Sequence, residues 1–134
     1  MNTRKWGLVR DCMRKDVTEV DGKLDVLSAL KIMKKVGATC LIVKRRDEND
    51  EYGILLFSDV AKKVIARNRA PERVNVYEVM AKPVLMVRPD MDIRYCARMF
   101  DNFSISHAPV VENEKIVGIV SYYLLVLQGL PDLD

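Results

Sequence analysis

Apolar residues recur along the chain in two rhythms, helical and alternating, and the order of these rhythms is run through twice. Positions 25–36 set Val26, Ala29, Leu30 and Met33 at helical spacing, with Lys31, Lys34 and Lys35 between them and Gly37 where a helix would stop. β-Branched runs at 17–20 and 84–87 predict short strands. Positions 39–44 and 52–56 predict a strand pair around the polar turn RRDENDE, and 107–111 with 115–120 predict the same pair around Glu112-Asn113-Glu114. Helices are expected at 58–67 and 122–128. Each half therefore reads β-α-β-β-α, an α/β (α+β) pattern.

Self-comparison makes the duplication explicit. A shift of 67 positions lays Val9 and Met13 on Val76 and Met80, Val17 and Val20 on Val84 and Val87, and Ala29 to Met33 on Cys96 to Phe100. A two-residue excess in the charged turn of the first copy changes the shift to 65 and brings Gly53 onto Gly118. The expected organisation is repeat 1 at 1–67, a linker at 68–75 containing Pro71, and repeat 2 at 76–134, together one module. Neither half alone can bury its sheet.

Composition narrows the classes of function. A chain of 134 residues, 49% hydrophobic, can bury about two-thirds of its unfolded surface, enough for a sound core. Its 22 basic and 19 acidic residues are interspersed, so no basic stripe argues for nucleic acid. Cys12, Cys40 and Cys96 are odd in number and widely spaced, which fits neither a disulfide framework nor a zinc site and points to a reducing compartment. Positions 1–10 lack the apolar core of a signal peptide, and the uncharged run 116–131 is shorter than the roughly 20 residues of a membrane span. A cytoplasmic protein with no metal and no covalent cofactor is expected.

The lead-ins VRDCM and VYEVM, the strand ISHAPVV and the stretches beginning at Gly53 and Gly118 resemble the cystathionine-β-synthase-type (CBS) domain, a family that occurs as tandem pairs. The resemblance runs from about Leu8 to Leu130. It implies two β-α-β-β-α units packed sheet to sheet with pseudo-twofold symmetry. It also implies two clefts that in many relatives bind adenine nucleotides or related adenosyl ligands, and a regulatory role toward another protein, which the sequence does not identify.

In the family the strand-to-helix stretch carries a hydroxyl and, three residues on, an acid. The hydroxyl sits beside helix N–H groups that attract phosphate, and the acid suits the ribose diol. This chain divides the pair: repeat 1 has Leu56 and Asp59, repeat 2 has Ser121 and Leu124. By this resemblance Asp59, with Val17, Thr18, Thr39 and Cys40 along the wall, forms the preferred site for AMP, ADP or ATP, and Ser121, Ser106 and His107 form a weaker one. Plainer roles compete: Asp59 as a first-turn acid in a helix capped by Ser58, Ser121 as an N-cap, His107 as a half-buried strand histidine, Cys40 as a small buried hydrophobe.

Two other classes of function stand beside this reading. A CBS pair without ligand would act as a dimerisation or docking module, and Cys40 with His107 would supply the nucleophile and base of an enzyme, although no third residue orients them. The final helix is apolar on nearly all sides, so a homodimer is expected through Leu125, Leu127 and Leu130, with Met99 and Phe103 from the neighbouring helix.

Overall fold

A computed structural model describes residues 5–133. Its elements run α1 (Val9–Cys12), β1 (Glu19–Val20), α2 (Val26–Val36), β2 (Cys40–Val43), β3 (Gly53–Leu56), α3 (Phe57–Val60), α4 (Val76–Val79), α5 (Ile93–Phe103), β4 (His107–Glu112), β5 (Lys115–Ser121) and α6 (Tyr122–Gly129). The α+β class and the twofold repetition expected from the sequence are both present.

The two long amphipathic helices begin and end by the same devices. Asp25 caps α2 by accepting from Ser28 N, and Asp92, 67 positions on, caps α5 by accepting from Arg94 N. At the other ends Gly37 and Ser104 both adopt the left-handed conformation, at φ 69° and 54°. Val26, Ala29 and Met33 face inward from α2, and Ile93, Cys96 and Phe100 from α5.

The chain folds as two compact units, Thr18–Val84, and Met1–Val17 with Leu85–Asp134. The lead-in helix of each repeat packs with the body of the other repeat. In the unit 18–84, β1 and β2 are parallel and β2 and β3 antiparallel, and Ala81 extends the sheet by bridging Ile54. The N–H of Val76 donates to Leu24 O and that of Val26 to Val74 O, both at 2.8 Å. A core of Val26, Met33, Leu41, Leu55, Val76 and Val79 closes beneath.

The other unit repeats the plan from the two ends of the chain. β4 and β5 are antiparallel with a bulge at Val110/Val111, Val87 bridges Val110 in parallel, and Arg14 bridges Ile119. Val9 N donates to Met91 O and Ile93 N to Gly7 O. Val9, Cys12, Phe100, Ala108, Val110 and Val120 are buried together.

Several elements are shorter than the patterns suggested. Of the β-branched run 84–87 only Val87 makes a bridge. The helix expected over 58–67 starts one residue earlier and turns π-helical over Ala61–Ile65, where Ala66 N reaches Ala61 O. Positions 68–75 contain a 3-10 turn, Pro71–Arg73, and Asn75 bridges Asp25, so this stretch is held to the start of α2.

Candidate ligand site

The antiparallel register sets Cys40 opposite Leu56 at the end of β3, and α3 starts at once, with Leu56 as its N-cap. Leu56 has no side-chain acceptor, and the helix has no side-chain cap; Ser58, read from the sequence as the capping residue, is instead exposed on the first turn. Asp59 lies on that same turn with 19% of its side chain exposed. The nearest cation described is Lys63, one turn on, whose Nζ is 3.8 Å from Asp59 Oδ1 and donates to Val79 O at 3.2 Å.

Thr18, Thr39, Cys40 and Asp59 belong to one unit, and Thr18, just before β1, accepts at its carbonyl from Ile42 N of β2. Thr39 is exposed, Thr18 half-buried and Cys40 buried. Val17 falls at the end of the N-terminal segment assigned to the other unit. Lys63 was missed by the sequence reading, though an acid followed four residues later by a lysine is a recognisable helical pair.

The residues of the second candidate site are brought together more fully. His107 and Ser121 are directly opposed in the β4–β5 ladder, and Ser106 Oγ lies 2.8 Å from His107 Nδ1. Burial holds the His107 imidazole below its ordinary pKa, so it is neutral near pH 7. Ser121 is buried and caps α6, its Oγ accepting from Leu124 N at 3.3 Å. The hydroxyl that repeat 1 lacks is thus already engaged in repeat 2 as a helix cap. Tyr122 follows it with its ring edge-on to Phe100, centroids 5.2 Å apart.

All three cysteines are buried thiols. Burial raises Cys12 to a pKa of about 11 and Cys96 to about 12, far from the range of a nucleophilic thiolate at neutral pH. Among the described residues no group of three metal-ligating side chains converges, and no helix is long and apolar enough to cross a membrane.

Comparison with known proteins agrees with these features. The profile of the CBS domain matches residues 9–66 and 76–126. A curated relative named homoserine O-acetyltransferase, from Methanosalsum zhilinae, is 35% identical over 113 residues, which make up 84% of this chain and 22% of that protein. The chain spans less than two-thirds of the length of the curated relatives it matches first, 58% in the case of a Methanopyrus kandleri protein. A hexameric CBS-CP12 protein from bloom-forming cyanobacteria superposes with a TM-score of 0.87 at 35% identity, covering 90% of this chain and 70% of that one. The CBS domain pair of protein MJ0100, solved in complex with 5′-methylthioadenosine and S-adenosyl-L-methionine, superposes at 0.75 with 26% identity, covering 90% of this chain and 94% of that one. With both repeats matched by the family profile, the chain belongs to the CBS domain family.

Proposed function

We propose that the chain is a CBS-pair regulatory module that senses an adenine nucleotide or a related adenosyl ligand, bound preferentially around Asp59. The observation that carries this reading is the Asp59 carboxylate itself. It stands partly exposed on the first turn of a helix without a side-chain cap, and its only described ion pair is a long one, so it retains acceptor capacity for two hydroxyls. The MJ0100 complex, with two adenosyl compounds bound to a related pair, supports the class of ligand. AMP, ADP, ATP and the two compounds bound there are the ligands to test. A reducing, cytoplasmic setting fits three buried thiols.

Asp59 outweighs Ser121 as the determinant. A diol donating to a carboxylate makes charge-assisted bonds of about 1.5–3 kcal/mol each, whereas a hydroxyl contact contributes about 0.5–1.5 kcal/mol. Calorimetric titration of the wild type and of Asp59→Ala with these ligands tests the reading. Loss of roughly 10-fold or more in affinity is expected, at about 1.4 kcal/mol per tenfold. Equal binding by the two proteins would reduce Asp59 to a first-turn helix acid.

A second reading, a docking module without ligand, is favoured by the exposed apolar side chains of α5 and α6. Phe103 is 61% and Tyr123 69% exposed, with Val126 and Leu127 alongside. The same surface supports a homodimer, which is compatible with either reading. Leu125 takes no part in it, being buried in the core of its own unit. Absence of heat with every adenosyl ligand, in a protein that still self-associates, would select this second reading.

A further inference from the structure

Lys63 touches two places at once, the acid of the proposed site and the end of a helix that leads out of the unit. We propose that Lys63 ties the state of the Asp59 carboxylate to the segment Val79–Val84; the inference rests on the adenosyl reading above.

The ammonium lies 3.8 Å from Asp59 Oδ1 and 3.2 Å from the carbonyl of Val79, the last residue of α4. Two residues on, Ala81 exchanges backbone hydrogen bonds of 3.0 and 2.9 Å with Ile54, and Lys82 Nζ reaches Asp50 at 2.6 Å. The chain leaves the unit directly afterwards, at Val84.

A lysine that does no more than close a helix end is ordinary. The internal repeat argues for more. The counterpart of α4 is α1, which ends in the same way: Met13 N donates to Val9 O as Met80 N donates to Val76 O. Yet the residues that occupy the places of Asp59 and Lys63 in repeat 2 are Leu124 and Gln128. The same helix end forms without the cation, and the cation is absent where the acid is absent. Lys63 therefore goes with the acid rather than with the helix end.

The direction of the effect follows from competition for one ammonium. A diol that donates to Asp59 occupies the oxygens facing Lys63, the ion pair weakens, and the ammonium settles on the Val79 carbonyl. The end of α4 and the Ala81–Ile54 bridge tighten. Neutralising Asp59 without any ligand has the same sign, and removing the ammonium has the opposite sign.

Amide hydrogen exchange at Ala81 in the full chain reads this directly, since exchange reports local opening. In ligand-free protein, Asp59→Asn is expected to slow the Ala81 amide about 2-fold. Lys63→Met should speed it by a similar factor, Lys63→Arg should behave as wild type, and Asp59→Asn should have no effect once Lys63→Met is present. With AMP or 5′-methylthioadenosine as probes, the wild type should gain protection at Ala81, and Lys63→Met should bind without that gain. An Asp59→Asn effect independent of residue 63 overturns the inference and leaves the adenosyl reading standing. No binding of any adenosyl probe by the wild type overturns that reading and, with it, the ligand half of the inference. Lys63→Gln serves as the second neutral variant if Lys63→Met folds poorly.

Discussion

Gly53 lies so close beneath Met80 that a β-carbon on the glycine would fall 2.6 Å from the methionine sulfur. Gly118 lies in the same way beneath Met13, with a β-carbon 2.9 Å from the sulfur and also 2.9 Å from Arg14 O. Two of the motifs that carry the resemblance to the family, VxxxM and the glycine that opens the strand-to-helix stretch, are thus two sides of one contact made across repeats. Gly53→Ala and Gly118→Ala should each destabilise the protein by about 1–3 kcal/mol through overpacking. The second should cost more, because a backbone oxygen cannot move aside as a thioether can. Urea melts of each variant with and without Met80→Ala or Met13→Ala test this: the methionine truncation should offset much of the Gly53→Ala loss and little of the Gly118→Ala loss.

Ser104 ends α5 at φ 54°, a conformation that suits the glycine found at the equivalent Gly37. Ser104→Gly should therefore stabilise the chain by about 0.5–1 kcal/mol in denaturant titration, and Gly37→Ser should destabilise it by a similar amount. A loss of stability in Ser104→Gly would show that the serine side chain contributes something beyond its backbone angle.

His107 makes stability depend on pH over a window of its own. Its folded pKa is depressed by burial below the ordinary 6.5, so the unfolded chain binds more protons in this range. Stability is fully present above about pH 6.5 and falls as pH drops through that value toward the folded pKa. The carboxylates held low by hydrogen bonds, Asp50 by Arg46 and Lys82 and Asp25 by Ser28, lose their contributions only in more acid solution. Thermal melts at pH 7.5 and 5.5 should show a fall in Tm for the wild type that is diminished in His107→Gln. An unchanged fall in the variant would assign the effect to other groups.

Self-association through α5 and α6 gives the remaining test. Light scattering should give twice the 15.3 kDa of one chain, or a higher multiple, for the wild type. Tyr123→Lys combined with Phe103→Glu should lower the mass toward that of one chain while leaving the melting profile cooperative, because both residues lie outside the core. A wild type that stays monomeric at micromolar concentration would remove this surface from consideration.

The elements were legible in the sequence wherever a single repeat determines them. Asp25 and Gly37 bracket α2 by capping chemistry, and the offsets of 67 and 65 positions recur in the structure as the equivalence of Arg14–Ile119 with Ala81–Ile54. What could not be read was which body each lead-in joins. Val9 would suit the loop before α2 by pattern as well as it suits Met91, since two like repeats present like partners. The start of α3 was misplaced because Ser58 is a good capping residue by type, but the register Cys40–Leu56 ends the strand two residues earlier. In the candidate site the acid and the i,i+4 spacing of its lysine are legible, but the contact of Lys63 with Val79 is not, because the sequence alone shows no reason for the lysine to turn that way rather than to solvent.

The exchange of lead-ins also sets an order of events during synthesis. Everything that closes the unit Thr18–Val84 lies on one continuous stretch and is available once that stretch has been made. The lead-in Val9–Cys12 is made before that stretch, yet the partners of the segment around it are Met91, Asp92 and Ile119, so it must wait until those residues have been made. Contacts of such long sequence separation form slowly. The lead-in that precedes the unit Thr18–Val84 is therefore seated after it, with Val9, Cys12 and Met13 exposed in the interval.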